Sequence, residues 1–484
     1  MKRFYMKTNR AFTAIRRYAW IFTLTVAFGG LWFPRLGLLV LGVIFSLTAI
    51  SLFKGRYWCG TFCAHGSLFD RLLLPFSRNA KIPSFLKSKV TQGIVLTWFM
   101  YNMLSRIILV SALWGTLPFW DRLGFVFVNS YLMVTVAGGI LGLIVTPRTW
   151  CQFCPMGIMQ MFMYSLGKKL GLTKKHDQKI TVSAIEKCHK CAKCARTCPM
   201  QRVPYTNFSD KNQFDDLACI RCLTCIENCP AKILTLETES QAFARGAATD
   251  RRGYDTRQAI KARIKGIVAL ADDVREFTLE FIMPPKVSYL PGQYFLIKIE
   301  NSPEIFRAYS ITGRGSDREV RLTVKRVPGG YGTEIIFDNF KVGQDVNLEG
   351  PLGNALLIDE KADKILLVAG GIGITPFVPI AEALVQKKKA FKLIYGVNTP
   401  GEILYDDVFS ALAQEFSQFE YVKVVANPSG QYIGQKGFVT DALSGLDWRG
   451  YSVYVCGSKP MVEAVTKKLT SQGVSGKAIF AESA

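Results

Sequence analysis

Histidine is nearly absent from this 484-residue chain, which has only His65, His176 and His189. None falls inside an apolar run, which excludes a haem held within a membrane bundle by paired histidines. Acidic residues are also scarce, 37 against 60 lysines and arginines, giving a net charge of +23. Such an excess can mark a nucleic-acid binder, but no aromatic-and-basic RNA motif accompanies it. The basic residues of the first half instead flank apolar runs, which is the pattern of membrane topology with anionic lipid as partner. No small-residue cleavage site follows the first apolar run, so the N-terminus does not read as a removable leader. No His- or Met-rich motif for copper or ferric ions is present; Met156, Met159, Met161 and Met163 read as an apolar helix face.

Cysteine is what the chain has, and in ordered spacings. Two copies of one pattern occur: Cys188-x-x-Cys191-x-x-Cys194-x-x-x-Cys198-Pro199 and Cys219-x-x-Cys222-x-x-Cys225-x-x-x-Cys229-Pro230. The run resembles that of a two-cluster bacterial-type ferredoxin and predicts two [4Fe–4S] clusters. In such runs the fourth cysteine ligates the other cluster. The expected sets are therefore Cys188, Cys191, Cys194 and Cys229, and Cys219, Cys222, Cys225 and Cys198. Zinc uses two separated C-x-x-C pairs rather than three evenly spaced cysteines before Cys-Pro. Clusters carry one electron at a time, so the chain is expected to move electrons in a reducing compartment. Beyond these runs there is no longer repeat and no low-complexity tract.

Apolar runs cover residues 18–33, 36–53, 91–114 and 125–146, with Pro34 and Arg35 between the first two. Each is near the length of a membrane-crossing helix; the first two are short enough to form a re-entrant hairpin instead. Residues 156–166 are apolar but too short to span, and are expected along the interface or beneath the bundle. Lys2, Arg3, Lys7, Arg10, Arg16 and Arg17 precede the first run with no acid among them. Residues 54–89 carry seven more basic residues against Asp70, whereas 34–35 and 117–124 are nearly balanced. The positive-inside rule then puts both termini and the cofactor domains on the cytoplasmic side of a bacterial-type inner membrane. Arg106 lies within the third run, as a functional charge or one that snorkels outward.

Trp58-Cys59-Gly60-x-x-Cys63 follows the second run, and Trp150-Cys151-x-x-Cys154-Pro155 follows the fourth. Over about residues 17–237 the chain resembles the membrane-bound polyferredoxin family, which includes accessory proteins of periplasmic nitrate and nitrous-oxide reduction. That family carries paired C-x-x-x-C-P motifs; here Ala64 replaces the first proline and the second pair is one residue shorter. Cys59, Cys63, Cys151 and Cys154 are expected to share a third Fe–S cluster on the cytoplasmic side. Zinc, a redox-active thiol pair and plain helix-end cysteines stay open, as does a ligand or surface role for His65.

The second half reads differently. Short alternating segments at 260–270, 274–281, 293–299 and 320–327 predict an antiparallel barrel. Strands at 365–369, 391–397 and 451–456 alternate with helices at 377–386 and 461–469, an α/β pattern. Along it come Pro291-Gly292-Gln293-Tyr294-Phe295, Arg307-Ala308-Tyr309-Ser310, Gly329-Gly330-Tyr331-Gly332-Thr333, Gly350-Pro351-Leu352-Gly353, Gly370-Gly371-x-Gly373-x-Thr375-Pro376 and Cys456-Gly457-x-x-x-Met461. In this order, from about Arg257 onward, they resemble the ferredoxin–NADP reductase superfamily.

The resemblance implies FAD, with FMN as the alternative, and a nicotinamide nucleotide. Arg307 can pair with a flavin phosphate, Tyr309 offers a ring face to the isoalloxazine, and Ser310 a hydroxyl near its reactive edge. Gly332 and Thr333 suit a second phosphate contact. Gly370, Gly371 and Gly373, with Thr375 and Pro376, let backbone approach a pyrophosphate at a helix start. Cys456, with Gly457 and Met461, is expected beside the nicotinamide, and Tyr309, Ser310 and Cys456 are the expected catalytic residues. Tyr395-Gly396-Val397-Asn398-Thr399 has no basic residue to hold a ribose 2′-phosphate, which favours NADH; Lys392 and Lys423 keep NADPH open.

The expected fold is thus multi-domain. It comprises a helical membrane bundle of about four spans (1–170), a two-cluster ferredoxin-like module (181–237), a linker (238–257), a flavin-binding antiparallel β-barrel (258–361) and an α/β nucleotide-binding domain (362–484). The expected activity is electron transfer from NAD(P)H through flavin and [4Fe–4S] clusters to a membrane acceptor, quinone or a partner redox protein. Flavin is the needed transformer, since nicotinamide gives two electrons and clusters take one. Alternatives are reverse flow onto NAD⁺ from a low-potential donor, a redox sensor or assembly factor, and a metal-ion reductase.

Overall fold

The protein is described by a computed structural model over residues 4–313, 317–428 and 432–483, so Lys2 and Arg3 of the N-terminal basic group lie outside the described residues. The chain divides into two compact units, Met1–Asp250 and Arg251–Ala484.

In the first unit, three helices among the described residues are long and apolar enough to cross a membrane: Pro34–Lys54, Lys89–Ser111 and Phe119–Ile144. The run at 18–33 is not a continuous helix. It folds as Trp20–Ala27 followed by a 3₁₀ turn, Gly29–Leu31. The break follows from packing: a Cβ on Gly30 would lie 2.5 Å from Val128 Cγ2, so the chain narrows there against Phe119–Ile144. The broken segment still joins the two ends of the bundle. Arg16, before it, donates to the carbonyl of Cys59, whereas Arg35, after it, pairs with Asp121 in the first turn of Phe119–Ile144. Cys151 follows that helix's opposite end.

Helix Pro155–Lys169, covering the short apolar run, packs along Leu39–Lys54, where a Cβ on Gly167 would sit 1.9 Å from the Leu52 carbonyl. The ferredoxin-like module is framed by β1 (Lys179–Val182) and β2 (Leu234–Glu237), paired antiparallel. The boundary between the two units, Asp250/Arg251, falls within the expected linker 238–257, which is helical in part. Residues Glu239–Ala248 form a helix whose start is a capping box: Thr238 and Gln241 satisfy each other's backbone N–H groups. Two orphan donors are met locally, so the segment holds without a long apolar stripe.

The second unit opens with a closed antiparallel barrel of β3 (Gln258–Ala271), β4 (Val274–Met283), β5 (Tyr294–Asn301), β6 (Glu304–Gly313), β7 (Glu319–Lys325) and β8 (Asp345–Leu352), in the order β3-β4-β7-β6-β5-β8. Phe277, Leu279, Phe295, Ile297, Leu322 and Leu348 fill its interior, as the period-2 pattern requires. Strands β6 and β8 and the helix Tyr331–Asn339 are additional to the four segments expected of the barrel.

A parallel sheet follows: β9 (Ile365–Gly370), β10 (Phe391–Val397), β11 (Phe419–Val425), β12 (Gln435–Lys436), β13 (Ser452–Gly457) and β14 (Ile479–Ser483), ordered β12-β11-β10-β9-β13-β14. Central β9 is covered on both faces, so Ile365 through Ala369 are all fully buried and the strand reads as an unbroken apolar run. Each large side chain there contributes about 1.5–3 kcal/mol.

Candidate functional site

The strand order of the parallel sheet reverses between β9 and β13, and ligands of such sheets bind in the crevice beyond the carboxyl ends at that point. The expected nucleotide residues converge there. A Cβ on Gly373 would lie 2.3 Å from the Cys456 carbonyl; one on Gly370 would lie 2.1 Å, and one on Gly457 2.4 Å, from Met461 Sδ. Gly371 has φ +54, open to glycine at low cost. Thr375 donates to the Ile372 carbonyl at 3.0 Å, tightening the turn before Pro376 and helix Phe377–Gln386. The result is a bare backbone turn aimed at a helix start, suited to a pyrophosphate.

In the barrel, Arg307, Tyr309 and Ser310 lie along β6, opposite Ile297, Phe295 and Tyr294 of β5. A Cβ on Gly332 would sit 2.6 Å from Arg307 Nε, so this glycine lets the guanidinium lie across the start of helix Tyr331–Asn339. Backbone N–H groups of that first turn and the guanidinium make one anion-binding corner, fitting a flavin phosphate. Thr333 departs from expectation: its hydroxyl accepts from the Val327 N–H at 3.1 Å and bridges its own loop. Its expected phosphate contact then falls to backbone. Burial pushes the Tyr309 phenol upward.

Cys456 is buried, its thiol pushed up by burial first and by the charge of Glu482 second. Glu482 was not visible in the sequence. Parallel pairing of β13 with β14 sets it opposite Cys456, and burial lifts its carboxyl to about 7. It also acts on Tyr294 and Tyr254, whose side chains share a hydrogen bond. A lone acid near the end of a chain carries no motif, and only strand pairing brings it to the site.

In the first unit, the cysteines group as the crossed-over assignment requires. Cys198 lines one pocket with Cys219, Cys222 and Cys225. Cys229 interacts with Cys191, and Cys194 with Cys188, Cys191 and Cys229. These donor sets fit two cubanes, which would supply single-electron storage. Among the described residues, no three or more His, Cys, Asp or Glu side chains converge on a single metal-ion position.

The structure also brings Cys59, Cys63, Cys151 and Cys154 together: Cys63 feels the other three, and burial pushes Cys151 and Cys154 up to about 12. Around them stands a dense set of buried arginines. Arg56 donates to the Cys151 carbonyl at 2.9 Å and lies 3.8 Å from Cys59 Sγ. Arg148 Nη1 lies 3.5 Å from Cys151 Sγ, and Gln160 Nε2 lies 3.2 Å from Cys59 Sγ. Arg10, Arg16 and Arg148 all pair with Asp70. Three buried arginines thus share one carboxylate while Arg56 faces the cysteines, and the Nε atoms of Arg10, Arg16 and Arg56 find no partner among the described residues. A cluster held by four thiolates is a net anion, so the surplus positive charge and donors fit it. His65 is not a surface residue; its Nε2 lies 3.1 Å from Thr135 Oγ1. Burial pushes the ring down to about 4.

Family models match in the same places. Residues 261–356 match the oxidoreductase FAD-binding domain and 367–467 the oxidoreductase NAD-binding domain. Residues 180–230 match a 4Fe–4S dicluster domain, and 36–83 with 130–173 a 4Fe–4S binding domain. The C-terminal half thus carries the FAD-binding and NAD-binding domains of an oxidoreductase. The chain is 32% identical over 230 residues to the toluate 1,2-dioxygenase electron transfer component of Pseudomonas putida, covering 47% of this chain and 66% of that one. It is 30% identical over 220 residues to the ferredoxin–NAD(P)⁺ reductase component of the naphthalene 1,2-dioxygenase/salicylate 5-hydroxylase systems of a Ralstonia species, covering 44% and 66%. Among solved structures, it is similar to the Amycolatopsis cytochrome P450 reductase GcoB, with TM-score 0.44, 27% identity, and 47% and 70% coverage. The domains are those of an electron-transfer oxidoreductase that uses flavin, nicotinamide and iron–sulfur groups.

Proposed function

We propose that this protein is a membrane-anchored NADH oxidoreductase that delivers single electrons to a membrane acceptor, either quinone or a partner redox protein. The observation that carries the reading is the set Cys59, Cys63, Cys151 and Cys154, two of them buried and two half-buried, enclosed by Arg16, Arg56 and Arg148 beside the ends of the apolar helices.

Bound flavin would accept hydride and release electrons singly. Arg307 and the helix start at Gly332 hold its phosphate, while Cys456 and Glu482 line the nicotinamide side. NADH is favoured because both lysines that kept NADPH open are paired: Lys392 with Glu420 at 2.7 Å and Lys423 with Asp406 at 3.0 Å. Lys392, the second residue of β10, also lies roughly 16 Å along the strand from the carboxyl end where nucleotide binds. The eight ferredoxin-like cysteines hold two clusters and the membrane-side four a third.

Four crossings are read from the three long helices plus the broken 18–33 segment, which runs between the bundle's two ends. Both termini and the cofactor domains then face the cytoplasm, and the apolar faces of Lys89–Ser111 face lipid. A partner protein as acceptor is supported by the relatives, an electron transfer component and a reductase component of multi-part systems. The deciding experiment is NADH oxidation by the purified protein in lipid, with quinones and candidate redox proteins compared. Sustained turnover with one of them supports the reading; turnover with soluble dyes alone sinks it.

A further inference from the structure

The two ferredoxin-like cysteine sets are not equivalent toward the membrane. Cys59 and Cys151 pack in one dry cluster with Met200 and Ile220, and Cys198 and Cys222 border that same cluster. All four of these sulfurs therefore surround two apolar side chains, and Cys198 and Cys222 belong to one expected ligand set. Cys188, Cys191, Cys194 and Cys229 take no part in the cluster.

The contact is built from backbone. A Cβ on Gly60 would lie 1.8 Å from the Ile220 carbonyl oxygen and 3.1 Å from the Cys222 nitrogen. No other residue type fits there without moving the loop that carries Cys219 and Cys222. That loop is anchored on both sides. Arg221, at φ +54, lies against Gly55, pairs with Asp177 and stacks over Tyr164. Gln152 Nε2 lies 3.4 Å from the Met200 carbonyl. Gln201 accepts from the Ile82 N–H at 2.8 Å and donates to the Ala80 carbonyl at 2.7 Å. Segments 55–60, 80–82 and 152 thus clamp the module in one orientation.

We infer that Gly60 is a positioning residue that seats the Cys198–Cys219–Cys222–Cys225 set against the membrane-side cysteines, so that electrons leave the ferredoxin-like module by this set and not by the other. The step is one electron given by a reduced cluster at the first site and taken by an oxidised cluster at the second; NADH, through flavin, is the reductant. The inference rests on the reading that Cys59, Cys63, Cys151 and Cys154 hold a cluster.

The test uses the full-length protein, purified anaerobically in lipid. Iron per chain is measured first, then the magnetic interaction between reduced clusters by paramagnetic resonance, for wild type, Gly60→Ala, Gln201→Ala and Gly93→Ala. Gly93 has open space where its Cβ would go and serves as control. About twelve irons in the wild type, with about eight from the ferredoxin-like pair alone, are expected. Gly60→Ala and Gln201→Ala should lose the interaction between the membrane-side cluster and its neighbour at unchanged iron content, and Gly93→Ala should keep it. An interaction of wild-type strength in both Gly60→Ala and Gln201→Ala, at full iron content, overturns the inference while leaving the third cluster standing. Eight irons in the wild type overturns the third cluster itself, and the inference with it. Should Gly60→Ala lose iron, Gln201→Ala decides, since the side chain it removes bonds only the Ile82 N–H and the Ala80 carbonyl and leaves the backbone bond to Cys198 in place.

Discussion

Arg148 and Asp70 meet at 2.8 Å with side chains 0% and 1% exposed, and Asp70 is the shared partner of Arg10 and Arg16 as well. A single carboxylate therefore holds three guanidinium groups in a dry site. Removing it leaves buried charges unopposed, which costs roughly 3–5 kcal/mol. Asp70→Asn should lower the thermal midpoint of the purified protein sharply. Asp121→Asn, which breaks the exposed pair with Arg35 at 2.9 Å, should cost less than about 1 kcal/mol. Equal shifts in the two variants would show that the buried arginines are compensated by something other than Asp70.

Arg307 and Tyr309 share one strand face, with Gly332 beneath the guanidinium. Replacing both, as Arg307→Ala with Tyr309→Ala, removes a charge-assisted phosphate contact and a stacking surface. The purified variant should lose bound flavin while keeping its cluster absorbance. Full flavin content in that variant would place the flavin elsewhere.

Glu482 gives a pH dependence. Folding lifts its carboxyl from 4.5 to about 7 through burial, so the folded protein keeps a proton that the unfolded chain has released. The stability tied to that proton is complete below about pH 4.5 and is lost as pH rises through about 7, a total of about 3 kcal/mol. The urea midpoint for flavin release should fall between about pH 5 and pH 8 in wild type, and Glu482→Gln should flatten that fall. A variant with the wild-type slope would assign the effect to another group.

What the sequence made legible was local. The eight ferredoxin cysteines sit within 42 consecutive residues, 188–229, and the resemblance of that run to a two-cluster ferredoxin supplied the expected grouping. Gly370, Gly371 and Gly373 follow an unbroken apolar strand, so a pyrophosphate turn could be read directly. What was not legible needed residues far apart in the chain. Arg10 and Arg16 read as topology charges facing headgroups, yet they are buried partners of Asp70, more than 50 positions away. Glu482 reaches Cys456 only through strand pairing. The break in the first apolar run comes from Val128, which no local pattern around Gly30 announces. The capped helix at Glu239–Ala248 was signalled by Thr238 and Gln241, in a stretch read by its lack of apolar period.

The membrane-side cysteines give the most exposed prediction. Burial pushes Cys151 and Cys154 up to about 12, so free thiols there would stay protonated and inert at neutral pH. Arg56 and Gln160 aim donors at the Cys59 sulfur and Arg148 at the Cys151 sulfur, which fits a bound anionic cluster. Changing Cys59 and Cys151 together to serine replaces two soft ligands with hard, weak ones. Iron should fall from about twelve to about eight per chain, and NADH-driven reduction of the membrane acceptor should stop. Reduction of a soluble dye should persist, because the flavin site and the ferredoxin-like pair lie outside the change. If iron content and membrane-acceptor turnover both match wild type, the four cysteines are structural, and the electrons reach the membrane by a path that avoids them.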